Sequence, residues 1–234
     1  MSKSMPESGR VLYRDNHIMA VLTNLRRPSE NIKTGDLLQL WIICSDKDPL
    51  TSRKLGLDKH VCGSCPLSGN GCYVLLHQAP TQVYRRYKDK PVQPIPKQLR
   101  TSVRLGAFGD IAFLPVALVN ALTGTGKHTS YTHQWNEPWA PDMSRHSMAS
   151  IDNVSANRLG ITSRERTQIA QSKGYRTYRT LADASDVLDS DEILCPNFQT
   201  GIQCAQCLLC NGNATGNRKN IAVPAHGVSR SLLQ

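Results

Sequence analysis

Seven of the eight cysteines fall into two short groups, and thiols at such spacing are the residues best placed to do chemistry in this chain. The first group is Cys62-Gly-Ser-Cys65-Pro-Leu-Ser-Gly-Asn-Gly-Cys72, a CxxC hairpin followed after six residues by a third cysteine. The CxxC spacing lets two sulfurs converge on one ion or cluster, while Gly63, Gly69 and Gly71 let the backbone wrap close to it. Three sulfurs are one short of a closed zinc site, so the fourth ligand stays open between Cys44, His60, His77 and no protein ligand. The second group, Cys195, Cys204, Cys207 and Cys210, has the pattern C-x8-C-x2-C-x2-C. Four thiolates within sixteen residues are a full set for a cubane iron-sulfur cluster or for tetrahedral zinc. Iron and zinc compete on softness and geometry, which ligand type alone separates poorly.

Two features favour iron-sulfur: the CxxCxxC run ahead of Gly212 has ferredoxin-type spacing, and a three-cysteine group leaves one iron open. CxxC hairpins also build zinc ribbons, so zinc remains the rival. Away from the cysteines, Val103-Arg-Leu-Gly-Ala-Phe-Gly-Asp110 reads as a strand whose C-terminal end delivers two glycines and a carboxylate. In α/β folds ligands bind at the carboxyl ends of strands, which places Gly106, Gly109 and Asp110 to meet a small molecule. In Ser130-Tyr-Thr-His-Gln-Trp135, alternate side chains share a face, and His133 can ligate a metal, shuttle a proton or contact substrate. Ser150 and Asp152 follow the same logic at the end of the next strand. The segment 124–129 is not a phosphate loop, because Ala121 and His128 stand where that loop needs Gly and Ser or Thr. Arg85-Arg86-Tyr87-Lys88 reads as a solvated helix face before a phosphate-binding one.

These residues need a scaffold, and the pattern along the chain supplies one. Residues 37–44 (LLQLWIIC) form a short apolar run bounded by Gly35-Asp36 and by residues 46–49, the length and flanks of a buried strand. The spacing then predicts a short helix over 81–88, a strand over 102–108, a helix over 113–122 and a strand over 129–134. A strand over 147–151 follows, then a helix that spans 156–173 or begins only after a turn near Gly160, and strands over 175–180 and 192–194. Alternating strands and helices argue for βαβ units and a mostly parallel sheet, open or curled into a barrel. The expected architecture is therefore α/β, a partial (βα) barrel with cysteine-rich metal-binding loops near the C-terminal ends of its strands. Residues 1–35 read as a basic lead-in with short strands at 11–13 and 17–22, residues 36–212 as the barrel-like domain, and 213–234 as a flexible tail.

A chain of 234 residues can bury about 70% of its unfolded surface around one core and needs no disulfides to fold. The first thirty residues carry four arginines and no apolar core of a signal peptide, and no apolar run approaches the roughly 20 residues that span a bilayer. The expectation is a cytoplasmic protein with no membrane partner, whose cysteines are ligands or core residues in a reducing compartment. A formal net charge of +10 suits contact with phosphate, so nucleic acid is a partner to be considered, although a total says nothing about clustering.

The ordered set of segments NIKTGD from Asn31, CGSC with CYV, VRLGAFGD, YTHQW, MASID, GYRTYR, and CPNF through CAQCLLCNG resembles the gene-product-88 type of bacteriophage and plasmid proteins over residues 31–212. Those proteins look like relatives of the radical S-adenosylmethionine partial barrel. The resemblance implies that Cys62, Cys65 and Cys72 hold a 4Fe-4S cluster and that Gly109 and Asp110 lie where the second barrel strand meets the cofactor. It also implies that Cys195, Cys204, Cys207 and Cys210 hold an auxiliary metal. The radical enzymes typically carry CxxxCxxC, whereas the spacing here is CxxCx6C. Two functions follow as expectations. One is an iron-sulfur enzyme of the radical S-adenosylmethionine type acting on a nucleotide, nucleic acid or peptide, with Asp110 and His133 positioning groups in its pocket. The other is a zinc-stabilised nucleic-acid-binding or host-takeover phage protein without catalysis, its host-cell location cytoplasmic.

Overall fold

The computed structural model describes residues 8–29, 31–69, 72–124, 127–183, 185–213, 216 and 219–225. Two five-stranded sheets carry the fold. In the first, β1 (Gly9–Arg14), β2 (Ile18–Thr23) and β3 (Leu38–Cys44) pair antiparallel, and β4 (Val103–Phe108) and β5 (His128–Thr129) continue beside β3 in parallel. The second is wholly parallel: β6 (Tyr131–Thr132), β7 (Met148–Ile151), β8 (Thr177–Leu181), β9 (Glu192–Leu194) and β10 (Asn220–Pro224), in the spatial order β6-β7-β8-β10-β9. Only Ser130 separates β5 from β6. The sheets do not close into a barrel, since β1 and β9 are end strands.

Each helix has a local cause. Asp48 caps α1 (Pro49–Lys54) by accepting from the Leu50 and Thr51 amides. α2 (Lys59–Cys62) delivers the first cysteine, and α3 (Ala79–Tyr87) lies close to the helix expected over 81–88. The helix expected over 113–122 starts later, as α4 (Val116–Thr123), because Asp110 caps a 3-10 turn over Ile111–Phe113 and Pro115 opens the helix. Of the helix expected over 156–173 or after a turn near Gly160, the later start holds: α6 (Ser163–Ser172) follows that turn, and a separate α5 (Asn153–Leu159) precedes it. Gly160 makes the turn with a φ of +66°, and Thr162 with Glu165 forms a capping box that starts the second helix. α7 (Pro196–Thr200) and α8 (Cys204–Cys207) lie inside the second cysteine group.

The core crosses both boundaries expected at residues 35 and 213. The expected lead-in supplies β1 and β2, whose Val11, Leu12 and Met19 to Leu22 are buried in the main cluster. The expected tail contains β10, buried along its whole length between β8 and β9. Arg179 of β8 reaches across β10 to Glu192 of β9 in a two-point contact (Nε to Oε1 2.8 Å, Nη2 to Oε2 2.5 Å), and the small Ala222 of β10 leaves room for it. Residues 226–234 lie outside the described residues.

Candidate functional site

The first cysteine loop is pinned to the ends of β4 and β6. The Asp110 amide donates to the Val61 carbonyl at 2.7 Å, and Gln134 reaches back with Oε1 accepting from the Ser64 amide at 3.2 Å and Nε2 donating to the Cys62 carbonyl at 2.8 Å. Gly63 permits this approach: a Cβ there would stand 2.3 Å from Gln134 Oε1, at a φ of +55°. Asp110 spends its carboxylate on three donors, the Ala112 amide (3.0 Å), the Thr132 hydroxyl (2.8 Å) and the His133 amide (2.8 Å). Its work is to lock the end of β6 beside the end of β4, which fixes where the His133 ring stands.

That ring lies against Cys65. Burial opposes charge on the imidazole, but the Cys65 thiolate, the hydrogen bond to it, and the Asp152 and Asp110 carboxylates outweigh burial and raise His133 to about 9. Burial likewise pushes the Cys65 thiol up, yet the imidazolium and its hydrogen bond reverse this and hold it below the ordinary thiol value. His133 Nδ1 stands 3.9 Å from Asp152 Oδ2, a charge contact too long for a hydrogen bond. Cys65 and His133 therefore favour each other's charged form, with the buried Asp152 carboxylate behind the imidazole. Burial instead pushes Cys62 and Cys72 up, and neighbouring thiols add to it.

In the second group burial raises Cys204 and Cys207 and pushes Cys210 up to about 12, with the thiols of Cys195, Cys204 and Cys207 reinforcing the shift at Cys210. Thiols in each group thus lie within reach of one another's charge. Among the described residues, however, no three His, Cys, Asp or Glu side chains converge closely enough to hold a metal ion. The donor chemistry fits an iron-sulfur cluster or zinc, and binding would have to draw the sulfurs together. Of the open fourth ligands, Cys44 gives its thiol to the Leu57 carbonyl and His60 stacks on His17 with ring centroids 4.5 Å apart. The non-cysteine group that meets the trio is His133.

The groups are not gathered at one end of the strands, as the sequence led us to expect. The first lies where β4 and β6 finish. In the second, Cys195 follows the end of β9, but the Cys204 amide bonds to the Lys33 carbonyl ahead of β3, and the Cys210 carbonyl accepts from the Ser130 amide ahead of β6. Between them lies a cavity of about 350 Å³. At the strand ends it is lined by Leu67, His133 and Asp152, along its walls by Tyr131, Tyr178 and Ser150, and at the strand starts by Arg104, Lys33 and Cys204. An open depression of about 450 Å³ on the outer side of the first loop, lined by His17, His60, Phe113 and Trp139, encloses far less.

His133, Ser150 and Asp152, expected from strand ends, do line the cavity, whereas Gly106, Gly109 and Asp110 do not. The two glycines make the turn: a Cβ on Gly109 would stand 2.3 Å from the Ile42 carbonyl oxygen, and one on Gly106 2.7 Å from that of Gly109. Trp135 is buried and donates to the Ser150 carbonyl at 3.1 Å. Sequence reasoning missed Arg104, Tyr131, Tyr178 and Gln134. A signal existed for Arg104, a lone charge in an otherwise apolar parallel strand, where a buried face normally excludes one. The chain matches no family model, and neither curated proteins nor solved structures gave a match. Among the described residues no helix is long and apolar enough to cross a membrane.

Proposed function

We propose that the chain is an iron-sulfur protein with a partial-barrel site of the radical S-adenosylmethionine type, related to the bacteriophage proteins its segments resemble. Cys62, Cys65 and Cys72 would hold one cluster, and Cys195, Cys204, Cys207 and Cys210 a second. The observation that carries this reading is the placement of a cavity between two thiol groups, on the inner side of successive parallel strands. When bound, a cluster with an open iron supplies one electron to cleave adenosylmethionine and start radical chemistry.

The chain's own residues have definable parts in this reading. His133 holds the Cys65 thiol below its ordinary value, which favours the thiolate, the form that ligates metal. His133 and Asp152 present a proton donor and a carboxylate to the cavity mouth, and Asp110 positions His133 through its backbone amide. Tyr131 and Tyr178 pack on each other with centroids 4.4 Å apart and exclude water from one wall.

Anaerobic purification followed by iron, sulfide and zinc analysis tests the reading. Roughly four to eight irons per chain with a broad absorption near 400 nm are expected, as one or two 4Fe-4S clusters require. Cys65→Ser is expected to remove the iron of the first cluster and leave the chain folded by circular dichroism. One or two zinc ions without iron would overturn the radical reading and leave a zinc-stabilised binding protein.

A further inference from the structure

Among the described residues Arg104 is a cation without a carboxylate partner, in a place where one would be expected. It stands on the cavity side of β4, opposite the buried Val103, Leu105 and Ala107. Its guanidinium donates to the Tyr73 hydroxyl at 2.8 Å, and among the described residues no carboxylate comes within ion-pair distance of it. Two other inward arginines are spent on protein: Arg179 holds Glu192, and Arg176 holds the carbonyls of Leu209, Gly212 and Lys219. Arg166 lies over the Trp135 ring at 4.8 Å, its Nε buried without a partner, and does not line this cavity. Burial opposes charge on this guanidinium, Tyr73, Tyr131 and Cys204 offset that burial, and an anion in the cavity would complete its remaining donors. Its flat fork of donors matches a carboxylate or phosphate.

The rest of the cavity narrows the ligand. Lys33 lines the same end, and both cations act on Cys204. Tyr131 and Tyr178, their rings inclined by 55° to each other, form the adjacent wall, where either ring can pack against a flat ligand. The acidic group, Asp152, lies at the opposite end, so the cavity is polarised along its length. A volume of about 350 Å³ is small for a ligand site, near the low end of the usual range of roughly 300–1,000 Å³. We propose that this cavity binds a small planar molecule bearing an oxyanion, with the carboxylate or phosphate on Arg104 and the ring against Tyr131 and Tyr178. The proposal deepens the function above by naming a substrate class for the same cavity, and it rests on that reading only in treating the ligand as a substrate.

Calorimetric titration of the full, anaerobically purified chain at about 0.15 M salt, which suppresses diffuse attraction to the basic surface, tests it with paired probes. Adenosine 5′-monophosphate is compared with adenosine, and benzoate with benzamide, so that phosphate and carboxylate are read separately. One anion is expected to bind about tenfold or more tightly than its neutral partner, and Arg104→Gln to abolish that preference. Arg86→Gln, at the end of α3 outside the cavity, is expected to change nothing. If Arg104→Gln does not fold, Arg104→Lys serves, with a several-fold loss expected because a point charge replaces the fork.

Equal binding of anion and neutral partner overturns the proposal, as does unchanged affinity in the folded Arg104 variant or an equal loss in Arg86→Gln. Loss of metal from Arg104→Gln with anion affinity unchanged also overturns it, assigning the guanidinium to the charge of the second cysteine group. Iron content measured on the same samples separates the two failures. Anion binding without iron defeats the cluster reading alone, and iron without anion preference defeats this one alone.

Discussion

At Cys65 and His133 one proton is shared between a thiol and an imidazole, and its position decides what either can do. The imidazole is raised to about 9 and the thiol lowered, so each favours the charged form of the other. In the metal-free chain, iodoacetamide is expected to alkylate Cys65 at pH 7 about tenfold faster than Cys62 or Cys72, whose thiols burial keeps protonated. His133→Gln is expected to abolish that difference, read by peptide mass spectrometry. The same pairing has a pH signature. His133 is protonated more readily in the folded chain than its ordinary value of 6.5 allows, so its contribution is full below pH 6.5 and is lost as pH rises through about 9.

The elements of the site are joined through turns that tolerate no side chain. Gly109 sits at a φ of +80° with the Ile42 carbonyl where its Cβ would go, so β4 can end beside β3 only if this residue is glycine. Gly109→Ala combines backbone strain with a clash against backbone that cannot swing aside. It is expected to destabilise the chain by about 2 kcal/mol or more in urea unfolding and to displace Asp110 from the His133 amide. Gly160→Ala also pays for its positive φ, but nothing lies within 4 Å of its Cβ, so the smaller loss of about 1 kcal/mol is expected there.

Across the whole molecule, stability depends on groups far apart in the chain. β10 joins β8 to β9 from a position more than forty residues beyond its β8 partners, Ile221 pairing with Tyr178. A chain ended at residue 212 lacks that strand and strands Glu192 and Arg179 at an open gap. It is expected to lose cooperative thermal unfolding and to bind a hydrophobic dye. Acid exposes another long-range dependence. Burial lowers His128 to about 4, while its Nε2 meets the His146 carbonyl at 2.9 Å. Between pH 6.5 and 4 the unfolded chain takes up a proton that the folded chain refuses, so stability falls as pH drops through that window, by up to about 3 kcal/mol. The urea midpoint of His128→Gln is expected to fall less than that of the parent between pH 7 and 4.5.

The cysteine groups, the parallel strands around them and the strand-end positions of His133, Ser150 and Asp152 were legible in the residue pattern. Ligand spacing and apolar runs are local properties, carried by a few neighbouring residues. What the pattern could not contain was contact between distant segments. The break between α5 and α6 turned on how Gly160 and Thr162 were resolved locally. By contrast, β10 is three apolar residues amid polar ones and becomes a strand only because β8 and β9 flank it. The partner of Cys65 lies 68 residues away, where Asp110 fixes it, and Cys204 and Cys210 lie by strand starts, away from the first cysteine group. Arg104 illustrates the same division. Its charge was plain in the sequence, but only the tertiary structure set it in a cavity where no carboxylate of the described residues comes within ion-pair distance.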